Sequence, residues 1–126
     1  MSKNIINTEK APAPIGPYSQ AVEVNGMLFV SGQIPIIPET GAMEEGGIED
    51  ETKQVMENLK AILEAAGGNM SNIVKTSIFV ADMNDFVAVN GVYGQYFESD
   101  PPARETIAVK TLPKNVNVEI SCIAAL

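Results

Sequence analysis

Residues 101–124, PPARETIAVKTLPKNVNVEISCIA, set one arginine and one glutamate inside segments that alternate like strands. Val116, Val118, Ile120, Cys122 and Ala124 alternate with Asn117, Glu119, Ser121 and Ile123, the period-2 pattern of a half-buried strand. Upstream, Arg104, Thr106, Ala108 and Lys110 alternate with Glu105, Ile107, Val109 and Thr111. Pro101 and Pro102 stop any preceding helix and hold the chain extended, so Arg104 opens a strand. If the two strands formed a hairpin turning at 112–115, Glu119 would stand opposite about Ala108, roughly 13 Å from Arg104 at the usual strand rise. Three arrangements remain: the arginine reaches across, another strand order joins the pair, or a second subunit does. The plainer reading leaves both charges on a solvated face.

The preceding chain supplies the rest of an α+β fold. Asn25-Gly26 between apolar runs in GPYSQAVEVNGMLFVSGQIP (16–35) signals a hairpin, because a type I′ turn needs two residues that tolerate positive φ. Counting outward, Val24 faces Met27, Val22 faces Phe29, Gln20 faces Ser31 and Ser19 faces Gly32, with Tyr18 beside Gln33. Tyr18, Ser31 and Gly32 therefore converge at the open end of the hairpin, with Tyr18 as a core ring and Gly32 as a bulge the structural alternative. Residues 35–47 read as an irregular loop, and residues 4–8 as a possible short edge strand.

From about Ile48 the period becomes helical, with Val55, Met56, Leu59, Ile62, Leu63 and Ala66 on one stripe and Gly67-Gly68 as the stop. Glu49, Asp50 and Glu51 suit the first helical turn, where negative charge meets the dipole, better than a metal site. Residues 73–81, IVKTSIFVA, form a β-branched strand. Asp82 or Asn84 then caps a second helix that presents Phe86, Val89, Tyr93, Tyr96 and Phe97. Gly91 and Gly94 on that helix suggest close approach of another backbone, and Asn90 is either a surface amide or one end of a buried hydrogen bond. The expected architecture is a mixed sheet with two helices on one face and self-association on the other.

Composition narrows the chemistry. At 126 residues the chain is one domain, 1–126, large enough for its own core. A net charge of −8 opposes non-specific nucleic-acid binding, since only 8 basic residues are present to neutralise phosphates. The absence of histidine removes imidazole-based hydrolases and histidine-ligated zinc, leaving carboxylates, Tyr, Arg, Lys, hydroxyls and backbone. The single cysteine, Cys122, reads as a small buried hydrophobe. With no long apolar run and no signal-peptide pattern over residues 1–10, the expected location is cytoplasmic and away from membranes.

Six fragments together, IGPYSQAV (15–22), VSGQIP (30–35), TKQVMENLKAILEAAG (52–67), ADMNDF (81–86), PPAR (101–104) and LPKNVNVEI (112–120), closely resemble the reactive intermediate deaminase A family, the RidA or YjgF-like proteins. The resemblance spans about residues 11–124. It implies a chorismate-mutase-like protomer, a homotrimer around a barrel of sheets with sites between subunits, and no metal or organic cofactor. The implied activity is hydrolysis of 2-imino acids such as 2-iminobutanoate and 2-iminopropanoate to 2-keto acids and ammonia.

By the same resemblance, Arg104 binds the substrate carboxylate, Glu119 positions or deprotonates the attacking water, and Tyr18 shares in catalysis. Ser31, Gly32, Asn90 and Thr106 are then pocket positions, Thr106 standing where many members carry cysteine. Glu105 departs from the serine or alanine of typical members, and strand parity points it away from Arg104. Two other functions compete: a non-catalytic binder or sensor of small carboxylates, and a ribonuclease or translation inhibitor, which the acidic charge disfavours.

Overall fold

The computed structural model describes residues 2–126. Six strands and two helices follow one another as β1 (Asn4–Ile6), β2 (Ala21–Val24), β3 (Met27–Gln33), α1 (Ile48–Ala65), β4 (Ile73–Val80), α2 (Phe86–Gly94), β5 (Ala103–Ala108) and β6 (Val118–Ala125). The sheet order is β1-β2-β3-β6-β4-β5. Asn25 (φ 51°) and Gly26 (φ 77°) make the tight turn, and the ladder pairs Val24 with Met27 and Val22 with Phe29 as the arithmetic requires.

The C-terminal strands do not form a hairpin. β6 enters between β3 and β4, antiparallel to both, while β5 returns through α2 to lie parallel to β4 at the sheet edge. The strand order is thus not that of a hairpin, but it sets β5 and β6 on opposite sides of β4 and does not itself join Arg104 to Glu119. Burial explains the order. Along β6, Val118, Ile120, Cys122 and Ala124 are all 3% exposed or less, so this strand needs the sheet centre and a helix above it. β5, by contrast, has no buried residue and tolerates the edge.

Both helices cover one face of the sheet. Val55, Met56, Leu59, Ile62 and Leu63 of α1 are fully buried against Leu28, Ile78, Val80, Val118 and Ile120. Truncating any of these large side chains to alanine would cost about 2–5 kcal/mol. The other face carries Phe29 opposite Ile123 and Phe79 opposite Ile107, and Phe29 and Ile107 are each 46% exposed. These side chains form an apolar row on the sheet face that neither helix covers.

Several local expectations need correction or completion. The second helix starts through a 3₁₀ turn, Met83–Asp85, capped by the Asp82 side chain accepting from the Asn84 amide at 2.9 Å. No atom of the described residues outside their own helix turn lies within 4 Å of a Cβ added at Gly91 or Gly94, so the backbone approach expected there is absent among the described residues. Glu51 is more than a helix-start charge. Its buried carboxylate accepts from the Asn117 side chain at 2.8 Å and from the Asn117 backbone amide at 3.3 Å, tying α1 to the approach to β6. Cys122 is buried and free, and burial pushes its thiol up to about 12.

Candidate active site

The open end of the β2–β3 hairpin gathers one half of the candidate residues. Between Val30 and Gln33 the register against β6 slips by one residue, so Ser31 and Gly32 together occupy a β-bulge. The bulge turns Gly32 toward Glu119, and a Cβ at position 32 would fall 2.8 Å from the Glu119 carboxyl carbon. Only glycine leaves that space to the carboxylate. The bulge and the packed pocket position are therefore the same feature.

Two latches hold the wall of this corner. The Ser31 hydroxyl donates to the Ser19 carbonyl at 2.6 Å, and the Ser31 amide donates to the Gln20 carbonyl at 2.9 Å. Gln20, 1% exposed, accepts from the Thr8 amide at 2.7 Å and donates to the carbonyls of Thr8 and Pro12 at 3.0 and 2.9 Å. These bonds fix the proline-rich segment that leads to Ile15 and Tyr18. Ile15, Tyr18, Ser31, Gly32, Pro113 and Glu119 are among the residues that line an open cavity of about 510 Å³. Desolvation raises the pKa of the half-buried Glu119 above the usual carboxylate value.

Arg104 lies elsewhere. It pairs with Thr76 on β4, whose side chain is fully buried on the helix face, and its guanidinium sits 5.0 Å from the Tyr93 ring centroid and 5.5 Å from that of Phe86. Asn90, four residues after Phe86 and three before Tyr93, falls on the same stripe of α2 and is exposed, so the surface-amide alternative is the one realised. Thr106, two residues along β5, shares that face, and its buried hydroxyl has no hydrogen-bond partner among the described residues. The only ion pair among the described residues joins Lys75 to Glu105 at 3.0 Å, so Arg104 has no acidic partner among them.

Glu119 pairs with Phe79 and belongs to the open face, whereas Arg104 belongs to the helix face. The chain thus assembles Tyr18, Ser31, Gly32 and Glu119 at one place and Arg104, Thr106 and Asn90 at another, and one copy cannot join them. Glu105 behaves as parity predicts. It points away from Arg104 and bonds Ser77 and Lys75, which together hold its carboxyl below the usual range.

Sequence reasoning did not assign Ile15 and Pro113 to the cavity or Phe86 and Tyr93 to the arginine. The helical stripe containing the two rings was visible, but a parallel β5 was needed to bring Arg104 under it. A larger cavity, about 570 Å³ between Lys60, Tyr96 and Asp100, contains none of these residues. Convergence of a half-buried carboxylate, a phenol and an open bulge favours the smaller one.

Among the described residues no group of three His, Cys, Asp or Glu side chains is placed to hold a metal ion, and no helix is long and apolar enough to cross a membrane. The family model described as Endoribonuclease L-PSP matches residues 8–126. A mouse protein named 2-iminobutanoate/2-iminopropanoate deaminase is 48% identical over 122 residues, covering 97% of this chain and 90% of its own. YyfA from Yersinia pestis, described as a member of the conserved Rid protein family, superposes with a TM-score of 0.97 at 48% identity, covering 99% of this chain and 100% of its own. The structure of E. coli TdcF with bound serine has a TM-score of 0.94 at 42% identity and covers 98% of each chain.

Proposed function

The chain belongs to the Endoribonuclease L-PSP family, the RidA or YjgF-like proteins, and from that premise we propose that it hydrolyses short 2-imino acids to 2-keto acids and ammonia. The observation that carries the proposal is the Glu119 carboxylate seated against Gly32 in a cavity shared with Tyr18 and Ser31. The reaction asks little of a protein beyond this. An imine carbon is already electrophilic, so the site needs to orient the substrate, hold a water and move protons.

In the proposed mechanism, the substrate carboxylate binds the Arg104 fork through two parallel hydrogen bonds. Glu119 takes a proton from water as the oxygen attacks C2, and the C=N π pair moves to nitrogen, which is protonated. In the resulting carbinolamine the hydroxyl proton passes through the Glu119 carboxyl to the amine nitrogen as the C–N bond breaks, releasing ammonia and leaving the 2-keto acid. A carboxyl with a raised pKa is a stronger base once ionised, which suits this step. Tyr18 and the Gly32 backbone complete the wall, and Ser31 acts mainly by holding the segment that bears Tyr18. No metal or organic cofactor enters the scheme.

Because Arg104 and Glu119 occupy opposite faces of one sheet, the site we propose forms between copies, in a homotrimer whose apolar open faces are mutually covered. Its location is taken as cytoplasmic. Ammonia release from enzymatically generated 2-iminobutanoate tests the activity, and wild-type rates in both Arg104→Ala and Glu119→Ala would overturn it. The endoribonuclease in the family description sets the competing assay. RNA cleavage abolished by Arg104→Ala, with no imine loss, would replace the deaminase reading.

A further inference from the structure

Tyr93 forms the third side of a closed triangle with Arg104 and Thr76. Thr76 is the ladder partner of Arg104 in the parallel β4–β5 pair. Its Oγ1 lies 2.7 Å from the Tyr93 hydroxyl, one donating to the other in a buried contact. The Tyr93 ring returns to the start, its centroid 5.0 Å from the Arg104 guanidinium carbon. Tyr93 is 5% exposed and also packs on Phe97, with ring centroids 5.0 Å apart, so the ring has little freedom to move.

A guanidinium on an exposed edge strand would ordinarily sample many rotamers. Here its flat face is offered an aromatic surface while no acid among the described residues engages its N–H groups. The attraction between a cation and a π face orders such a side chain without consuming hydrogen-bond donors. The fork is thereby kept ordered and unoccupied at once. Phe86, 5.5 Å away, adds a second apolar surface but has no hydroxyl to anchor it.

We propose that Tyr93 is the positioning residue for Arg104: its ring fixes the guanidinium in a carboxylate-ready orientation, and its hydrogen bond to Thr76 fixes the ring. The inference rests on the reading of Arg104 as the carboxylate-binding group. Desolvation holds the Tyr93 phenol above its ordinary pKa, so the hydroxyl remains protonated at neutral pH and the bond to Thr76 persists.

Two measurements test it, the affinity of the assembled protein for 2-ketobutyrate and the mobility of the Arg104 Nε–H group by ¹⁵N relaxation without ligand. Tyr93→Leu should weaken binding roughly 10-fold and mobilise Arg104, while Tyr93→Phe, which keeps the ring, should weaken it only about 3-fold. Thr76→Val should match Tyr93→Phe, and the double variant should be no worse than either single, because both remove one bond. A purely structural role would lower the unfolding midpoint in Tyr93→Phe without altering Arg104 mobility. Unchanged affinity and unchanged Arg104 relaxation in folded, assembled Tyr93→Leu would overturn the proposal. If that variant does not fold, an immobile Arg104 in both Tyr93→Phe and Thr76→Val would do so. Should Arg104→Ala retain wild-type affinity for 2-ketobutyrate, the carboxylate reading fails instead, and Arg104 relaxation still decides whether Tyr93 orders it.

Discussion

The two halves of the proposed site solve opposite electrostatic problems. The glutamate half lies in a bulge on the open face, walled by Ile15 and Pro113, and its carboxyl is desolvated toward the protonated form. The arginine half lies on an edge strand under α2, where two aromatic rings hold a cation that pairs with no acid among the described residues. Had the chain placed these charges together, they would have formed an ion pair and left neither for substrate. Separation on opposite sheet faces keeps the two groups apart within one copy, and the proposed assembly between copies is what would bring them to one ligand.

The largest expected effect breaks that separation directly. Arg104→Ala and Glu119→Ala should each lose about 10²–10⁴-fold in kcat/KM, since orientation or the base is removed. If sites span copies, unfolding the two variants together and refolding them as mixed oligomers should restore activity at about a quarter of the sites, those that draw both intact residues. A mixture of refolded oligomers as inactive as its components would mean that Arg104 and Glu119 of different copies do not share a site.

Next in size is Gly32→Ala, whose added methyl would occupy the space of the Glu119 carboxylate. We expect kcat to fall about 10²-fold while 2-ketobutyrate affinity, set by the arginine half, changes little; an equal loss in both would mean that the halves are not independent.

pH distinguishes the halves further. Glu119 must be ionised to accept a proton, and its pKa is raised, so kcat/KM should fall on acidification through a value above the ordinary glutamate value of about 4.3. The linked stability has the opposite sense. The folded state holds this proton more tightly than the unfolded chain, so the stabilisation is full below the ordinary value and is lost as pH rises through the raised pKa. Glu119→Gln should therefore be at least as stable as the parent at neutral pH, checked by urea denaturation, although inactive. In the assembled protein, a ¹³C titration of Glu119 should move upward in Arg104→Gln if the cation approaches it across the interface.

Ser31→Ala should cost less, about 0.5–1.5 kcal/mol for one lost hydrogen bond to the Ser19 carbonyl, seen as a few-fold rise in KM. Glu105→Ala should change neither activity nor unfolding midpoint measurably, because its pair with Lys75 is exposed and faces away from Arg104.

How much of this was legible follows the range of the interactions. The hairpin at Asn25-Gly26 is local, so its register and the meeting of Tyr18, Ser31 and Gly32 could be counted from residue spacing. The α1 stripe was equally plain, because Val55 to Leu63 repeat the helical period without interruption. The position of β6 between β3 and β4 was not legible, since it depends on burial accumulated across three distant strands. The Glu51–Asn117 clip spans 66 residues and leaves no periodic trace. Glu119 and Arg104 could be named by resemblance, yet alternation within each strand could not reveal that they would face opposite ways.

A sheet that displays its acid on one side and its cation on the other has a kinetic consequence. If each working crevice requires two protomers, specific activity becomes a function of how much protein is present: dilution below the dissociation constant silences the enzyme without any inhibitor. Abundance would then act as a control on turnover.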